Sequence, residues 1–344
     1  MKHIIRTLVP AAAGLLASGT LLAGDAYPTV GGVERYSEIM DELVPQDAVV
    51  ERLTEDTFGW SEGPVWVPDG GYVLFSDVPG NTMWKWSEEG GLEEFLKPSA
   101  NGPEPTGSGG TNGLIMGLDG RLLATDHGSR TIYAMDLETM DRSTVVDAYD
   151  GKRFNSPNDL VMSRVRWPGT LFFTDPPYGL DGQDDSELKE QAVNGVFRLD
   201  TSGEVTLLDG TLARPNGIGL STDEKALYVA SSDRDNITFQ AYDLDENGDI
   251  AGEPRTFADT TKWFEAGDEG ANDGFALDTD GNLWATGPGG VYVISPAGEI
   301  LGRIQTGTRV ANCAFGGPEG KTLYITSHTF LARIRTNAKG FGLP

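Results

Sequence analysis

One pattern recurs six times between Trp60 and the end of the chain, and it leaves few folds open. Each copy begins with a polar residue and an apolar strand. A turn and a second apolar strand follow, and the second strand ends in Thr or Ser, often with Asp next. The first three copies are Glu62-Gly63-Pro64-Val65-Trp66 with Leu74-Phe75-Ser76-Asp77, Asn112-Gly113-Leu114-Ile115 with Leu122-Leu123-Ala124-Thr125-Asp126, and Asn158-Asp159-Leu160-Val161 with Leu171-Phe172-Phe173-Thr174-Asp175. The others are Asn216-Gly217-Ile218-Gly219 with Leu227-Tyr228-Val229-Ala230-Ser231, Asp273-Gly274-Phe275-Ala276 with Leu283-Trp284-Ala285-Thr286, and Asn312-Cys313-Ala314-Phe315 with Leu323-Tyr324-Ile325-Thr326-Ser327. A period of about 40–60 residues built from short strands is that of propeller blades, each too small to bury both faces alone. Six copies predict an all-β, six-bladed β-propeller. Asp119-Gly120 and Asp280-Gly281 supply the turn chemistry its hairpins need.

The alternating stretch Val49 to Leu53 precedes the first copy and is expected to pair with the last blade, closing the ring and removing an open edge. Upstream, Lys2 and Arg6 lead into an apolar run from Leu8 to Ala23, the pattern of a secretory leader. The expected organisation is a signal peptide over 1–23, an N-terminal extension over 24–46 with a short helix at Ser37 to Leu43, and one propeller domain over 47–344. The chain is then exported, to the periplasm or outside the cell. Its single cysteine, Cys313, excludes an intramolecular disulfide and reads as a buried, inert thiol. A formal net charge of −26 with no basic patch argues against nucleic acid and anionic membrane surfaces as partners once the leader is gone. Oligomeric state is not legible.

Residues that start the innermost strands of a propeller converge on its axis. Here they are Glu62, Asn112, Asn158, Asn216, Asp273 and Asn312, all oxygen-bearing. Each alone could satisfy a loop junction; six in one register point to a pocket. Carboxylates and amides without a thiolate or imidazole cluster suit one hard divalent cation, Ca²⁺ first, with Mg²⁺ or Zn²⁺ as alternatives. His127 and His328 end the second strands of blades two and six and are expected at the rim, in contact with a small-molecule substrate. Asp175 and Tyr178 lie in a Pro-rich turn that either shapes the entrance or only holds the backbone.

Several motifs, taken in order, resemble the senescence marker protein/gluconolactonase family (regucalcin-like, luciferin-regenerating-enzyme-like), especially its bacterial gluconolactonase-like branch. They are Trp60-Ser61-Glu62-Gly63-Pro64-Val65-Trp66, Asn155-Ser156-Pro157-Asn158-Asp159-Leu160, Thr174-Asp175-Pro176-Pro177-Tyr178-Gly179, Arg214-Pro215-Asn216-Gly217, and Asp273-Gly274-Phe275 through Gly287-Pro288-Gly289-Gly290. The resemblance covers Val49 to the C-terminus. It implies a cation held by Glu62, Asn216 and Asp273, with Asn158 as a direct or bridged ligand. It leaves Asn112 and Asn312 as substrate or supporting positions, and it also aligns Arg153 and Asn155 with the substrate-binding Arg-x-Asn of animal members.

The expected activity is hydrolysis of a sugar lactone by carbonyl polarisation and attack of water, with Asp273 as ligand and proton acceptor. Two alternatives share the site: an esterase or phosphotriesterase, and a calcium-stabilised binding propeller without turnover.

Overall fold

The computed structural model describes residues 27–102 and 107–343. The expected leader, the first residues of the extension, positions 103–106 and the last residue lie outside the described residues.

Six antiparallel blade sheets follow one another along the chain, five of four strands and one, blade five, of five. Their innermost strands are Ser61–Val67, Thr111–Met116, Leu160–Met162, Pro215–Leu220, Phe275–Leu277 and Asn312–Gly316. Second strands run back beside them; Leu122–Asp126, Leu171–Asp175 and Leu283–Gly287 are buried along their whole length. A strand covered on both faces reads as a continuous apolar run, which is how Leu171-Phe172-Phe173 reads. Neighbouring residues then serve different layers. Phe173 packs with Leu123, Phe154 and Phe197 between blades two and three, whereas Phe172 packs with Ile218, Leu227 and Tyr242 between blades three and four. The turn glycines Gly120 and Gly281 have φ of 80° and 83°, which explains the Asp-Gly pairs.

The ring closes as expected. Val50–Arg52 forms the outer strand of blade six, with Val50 opposite Ile334, Glu51 opposite Arg333 and Arg52 opposite Ala332. The extension does more than tether. Gly32–Arg35 adds a fifth strand to blade five against Ile300–Gln305, held by Glu34 accepting from Arg303 Nε at 3.0 Å. The short helix spans Ile39–Leu43, starting two residues later than expected because Ser37 stays outside and its Oγ accepts from the Ile39 N–H. Cys313 is buried, its thiol donates to the Trp284 carbonyl at 3.0 Å, and burial pushes the thiol up to about 12.

The Thr/Ser-Asp ending of the second strands positions the inner ends of the blades. Hydroxyls reach forward to the next blade: Ser76 Oγ donates to Asn112 O at 2.9 Å, Thr125 Oγ1 to Asn158 O at 2.6 Å and Thr174 Oγ1 to Asn216 O at 2.8 Å. Carboxylates gather the loop entering their own blade. Asp77 accepts from the Gly59 and Trp60 N–H groups, and Asp175 from those of Asn155 and Ser156. Thr174→Val keeps shape but leaves the buried Asn216 carbonyl without this donor, and is expected to cost about 1–3 kcal/mol in urea unfolding. An unchanged midpoint would show the tether to be idle.

Candidate active site

The six strand-start residues meet at the axis. Glu62, Asn112, Asn158, Asn216 and Asn312 are buried, and Asp273 is only partly so. Close approach depends on missing side chains. A Cβ on Gly63 would stand 2.0 Å from Asn112 O, and one on Gly217 would stand 2.3 Å from Asp273 O, so in blades one and four the residue after the ring member must be glycine for the next blade's member to come in.

Three of the amides form a row. Asn112 Nδ2 donates to Asn158 Oδ1 at 2.8 Å, and Asn158 Nδ2 donates to Asn216 Oδ1 at 2.6 Å. His127 Nε2 lies 3.4 Å from Asn112 Nδ2 and accepts from it; burial drives this histidine down to about 4 and keeps the ring neutral, against a smaller upward pull from Asn158. Glu62 Oε1 accepts from Trp60 Nε1 at 3.0 Å, and Oε2 accepts from the Gly63 N–H at 3.2 Å.

Asp159 joins this group. Reading strand-start polarity picks Asn158 and passes over its neighbour, yet Asp159 Oδ2 accepts from Asn312 Nδ2 at 3.3 Å, a bar across the axis between blades three and six. The available signal is that glycine follows the ring residue in blades one, two, four and five, and blade three breaks that rule with a carboxylate. Beyond the bar lies an axial cavity of about 210 Å³, lined by Leu114, Leu160, Ile218 and Phe275 and bordered by Phe341 and Leu343.

Three carboxylates thus share one low-dielectric space. Burial pushes Glu62 up to about 7, despite hydrogen bonds from Trp60, Gly63 and Asn312. Burial and then the Glu62 charge push Asp159 up to about 8. Asp273 is raised well above the usual carboxylate range by burial, then by Glu62 and Asp159. A cation bound among these carboxylates would offset their mutual repulsion. Asn112 Oδ1 and Asp273 Oδ1 are buried with no hydrogen-bond partner, so oxygens remain unspent where a hard cation or substrate would use them. Among the described residues, no three His, Cys, Asp or Glu side chains form a metal-holding group; the donor set here mixes carboxylates and amides. The chemistry of this donor set fits a hard divalent cation.

The remaining sequence candidates divide. The His328 ring lies tilted against Trp60, 5.3 Å between ring centroids, and 3.4 Å from Arg309 Nη2, so that Trp60 stands between it and Glu62. Asn155 is fully buried and its Nδ2 is spent on Asp175 O, Val193 O and Asn194 Oδ1. Arg153, in the small hairpin of Ala148–Tyr149 and Lys152–Arg153, sends Nη2 to Ser129 O. Neither hydrogen-bonds to a ring side chain: Asp175 holds the Asn155 backbone N–H, and Glu190 holds that of Arg153. Tyr178 Oη lies 2.5 Å from Ser232 Oγ, which in turn lies 3.4 Å from Asn216 Nδ2.

The SMP-30/gluconolactonase/LRE-like region matches residues 60–329. Gluconolactonase of Zymomonas mobilis is 43% identical over 318 residues, covering 91% of this chain and 88% of the relative. An X-ray structure of a protein assigned as a gluconolactonase superposes with a TM-score of 0.78 at 32% identity, over 90% of this chain and 100% of that one. The gluconolactonase structure from Xanthomonas campestris gives 0.75 at 29%, over 91% and 99%.

Proposed function

The chain belongs to the SMP-30/gluconolactonase/LRE-like family, and from that premise we propose that its axial ring is the active site of a hydrolase that opens sugar lactones, gluconolactone foremost. The observation that carries this reading is the convergence of Glu62, Asn158, Asn216 and Asp273 around carboxylates whose charges nothing in the ring balances.

Glu62, Asn158, Asn216 and Asp273 would hold one divalent cation, Ca²⁺ first and Mg²⁺ or Zn²⁺ as alternatives, and the bound ion supplies the positive charge that a developing oxyanion needs. The side chains do the rest. Asp273 is the ring carboxylate most open to solvent, and its unpartnered Oδ1 receives a proton from the attacking water. The acyl C–O bond to the ring oxygen then breaks, the ring oxygen takes up a proton, and a hydroxy acid leaves as its carboxylate. Asn112 Oδ1 and neutral His127 offer acceptor and donor positions to sugar hydroxyls. Export is part of the same reading, supported by the leader pattern of Lys2, Arg6 and the apolar run to Ala23.

A proton-release assay on gluconolactone tests this directly. Turnover well above the spontaneous rate is expected with Ca²⁺, lost in chelator and restored by added ion. No acceleration over buffer under any of the three ions would overturn the lactonase reading. Chelator-resistant turnover would overturn the metal.

A further inference from the structure

The Asn112–Asn158–Asn216 row has a direction, and we infer that Ser232, held by Tyr178, is the positioning residue that sets it. The purpose of this role rests on the metal-dependent lactonase reading above.

Each amide nitrogen in the row donates onward, and the Asn158 and Asn216 oxygens receive from behind. The row begins at His127 Nε2, which accepts from Asn112 Nδ2. It ends at Ser232 Oγ, 3.4 Å from Asn216 Nδ2. Ser232 has one proton and two acceptors for it away from the row, the Arg214 carbonyl oxygen at 3.4 Å and Tyr178 Oη at 2.5 Å, and when the serine proton goes to Arg214 the tyrosine donates into the serine oxygen. With its proton directed to Arg214 or Tyr178, Ser232 meets Asn216 with a lone pair. The amide must therefore present its nitrogen to Ser232 and its oxygen to Asn158.

The consequence spreads along the row. A reversed Asn216 would set its N–H groups against those of Asn158 across a 2.6 Å contact, so Asn158 and then Asn112 would have to turn as well. The three amides hold one sense together or lose it together. In the observed sense, every amide oxygen keeps a lone pair free, and Asn112 Oδ1 has no partner at all. A hard cation takes oxygen and rejects an N–H.

Ser232 owes its place to the blade pattern. It follows the second strand of blade four, Ala226–Ser231, just as His127 follows Leu122–Asp126 and His328 follows Thr322–Ser327. In blades two, four and six this position backs the first ring: His127 behind Asn112, Ser232 behind Asn216, and His328 behind Trp60, the donor to Glu62.

Calorimetric titration of CaCl₂ into wild type, Ser232→Ala, Ser232→Thr and Tyr178→Phe tests the role. Loss of a residue that orients a ligand weakens metal affinity by about 10–100-fold, so Ser232→Ala is expected in that range. Ser232→Thr restores the acceptor and is expected near wild type, with Tyr178→Phe in between. Affinity in Ser232→Ala equal to wild type would overturn the assignment. Should wild type itself take up no Ca²⁺, the metal reading fails, and the row is judged in the metal-free protein from hydrogen exchange of the Asn216 side-chain amide by ¹⁵N NMR. Faster exchange in Ser232→Ala, by about tenfold, supports the lock, because an amide that has lost its acceptor opens more often; equal exchange sinks it.

Discussion

Asp273→Asn is expected to lower kcat/KM for gluconolactone by about 10³, equivalent to about 4 kcal/mol of transition-state stabilisation. The same change removes one of three crowded carboxylates, so in chelator the variant should melt above wild type, a trade of stability for activity. The pH dependence follows from the raised carboxylates. Glu62 at about 7 and Asp159 at about 8 hold protons in the folded state that the unfolded chain has already released. Their contribution is therefore fully present below the ordinary carboxylate range and lost as pH rises through 7 and 8. Metal-free wild type should lose stability over that window. Asp273→Asn should lose less, and saturating Ca²⁺ should flatten both curves. Thermal melts at several pH values, with and without chelator, check all three statements; a flat profile for chelated wild type would contradict the crowding.

Val50→Asp is expected to be the most damaging substitution outside the site, costing about 4 kcal/mol or more. Val50 is 1% exposed, pairs with Ile334 and packs with Leu323, Ile325 and Phe330 in the layer between the last two blades. An aspartate there must either bury an unpaired charge or pull the closing strand out, which exposes the edge of the last strand. Glu51→Ala is the useful contrast. Its ion pair with Arg333 at 2.6 Å lies toward the surface, where such pairs contribute about 0–1 kcal/mol. Urea midpoints should separate the two variants clearly; similar midpoints would mean that the seam is held by charge rather than by burial.

Much of this was legible because a propeller writes its geometry into a period. The six polar strand starts mark the axis without knowledge of any contact, and Val49 to Leu53 announces closure by alternating where no partner stands nearby. What the sequence hides depends on partners far along the chain. Gly32–Arg35 is short and half charged, and its reason for being a strand is Arg303, 269 residues beyond Glu34. Ser232 looks like any hydroxyl at a strand end until Asn216 and Tyr178 are seen beside it. Asn155 and Arg153 sit close to Asn158 in sequence, but Asp175 captures the Asn155 backbone and Ser129 the Arg153 guanidinium, partners that no local pattern announces. Asp159 was written in plain view, as the one carboxylate where most blades place glycine.

The closing strand also sets a timetable. Glu51 meets Arg333 across 282 residues, so no amount of early order in the first five blades can join the ring before its last strand exists. Bringing ends that far apart together costs about 5 kcal/mol on the logarithmic law for loops, returned only when the seam zips. Until then the chain is a row of half-covered sheets with a free edge at each end, the form most open to pairing with another copy. A shortage of helpers that shield such edges should therefore reduce the yield of this protein more than heat reduces the lifetime of the finished ring.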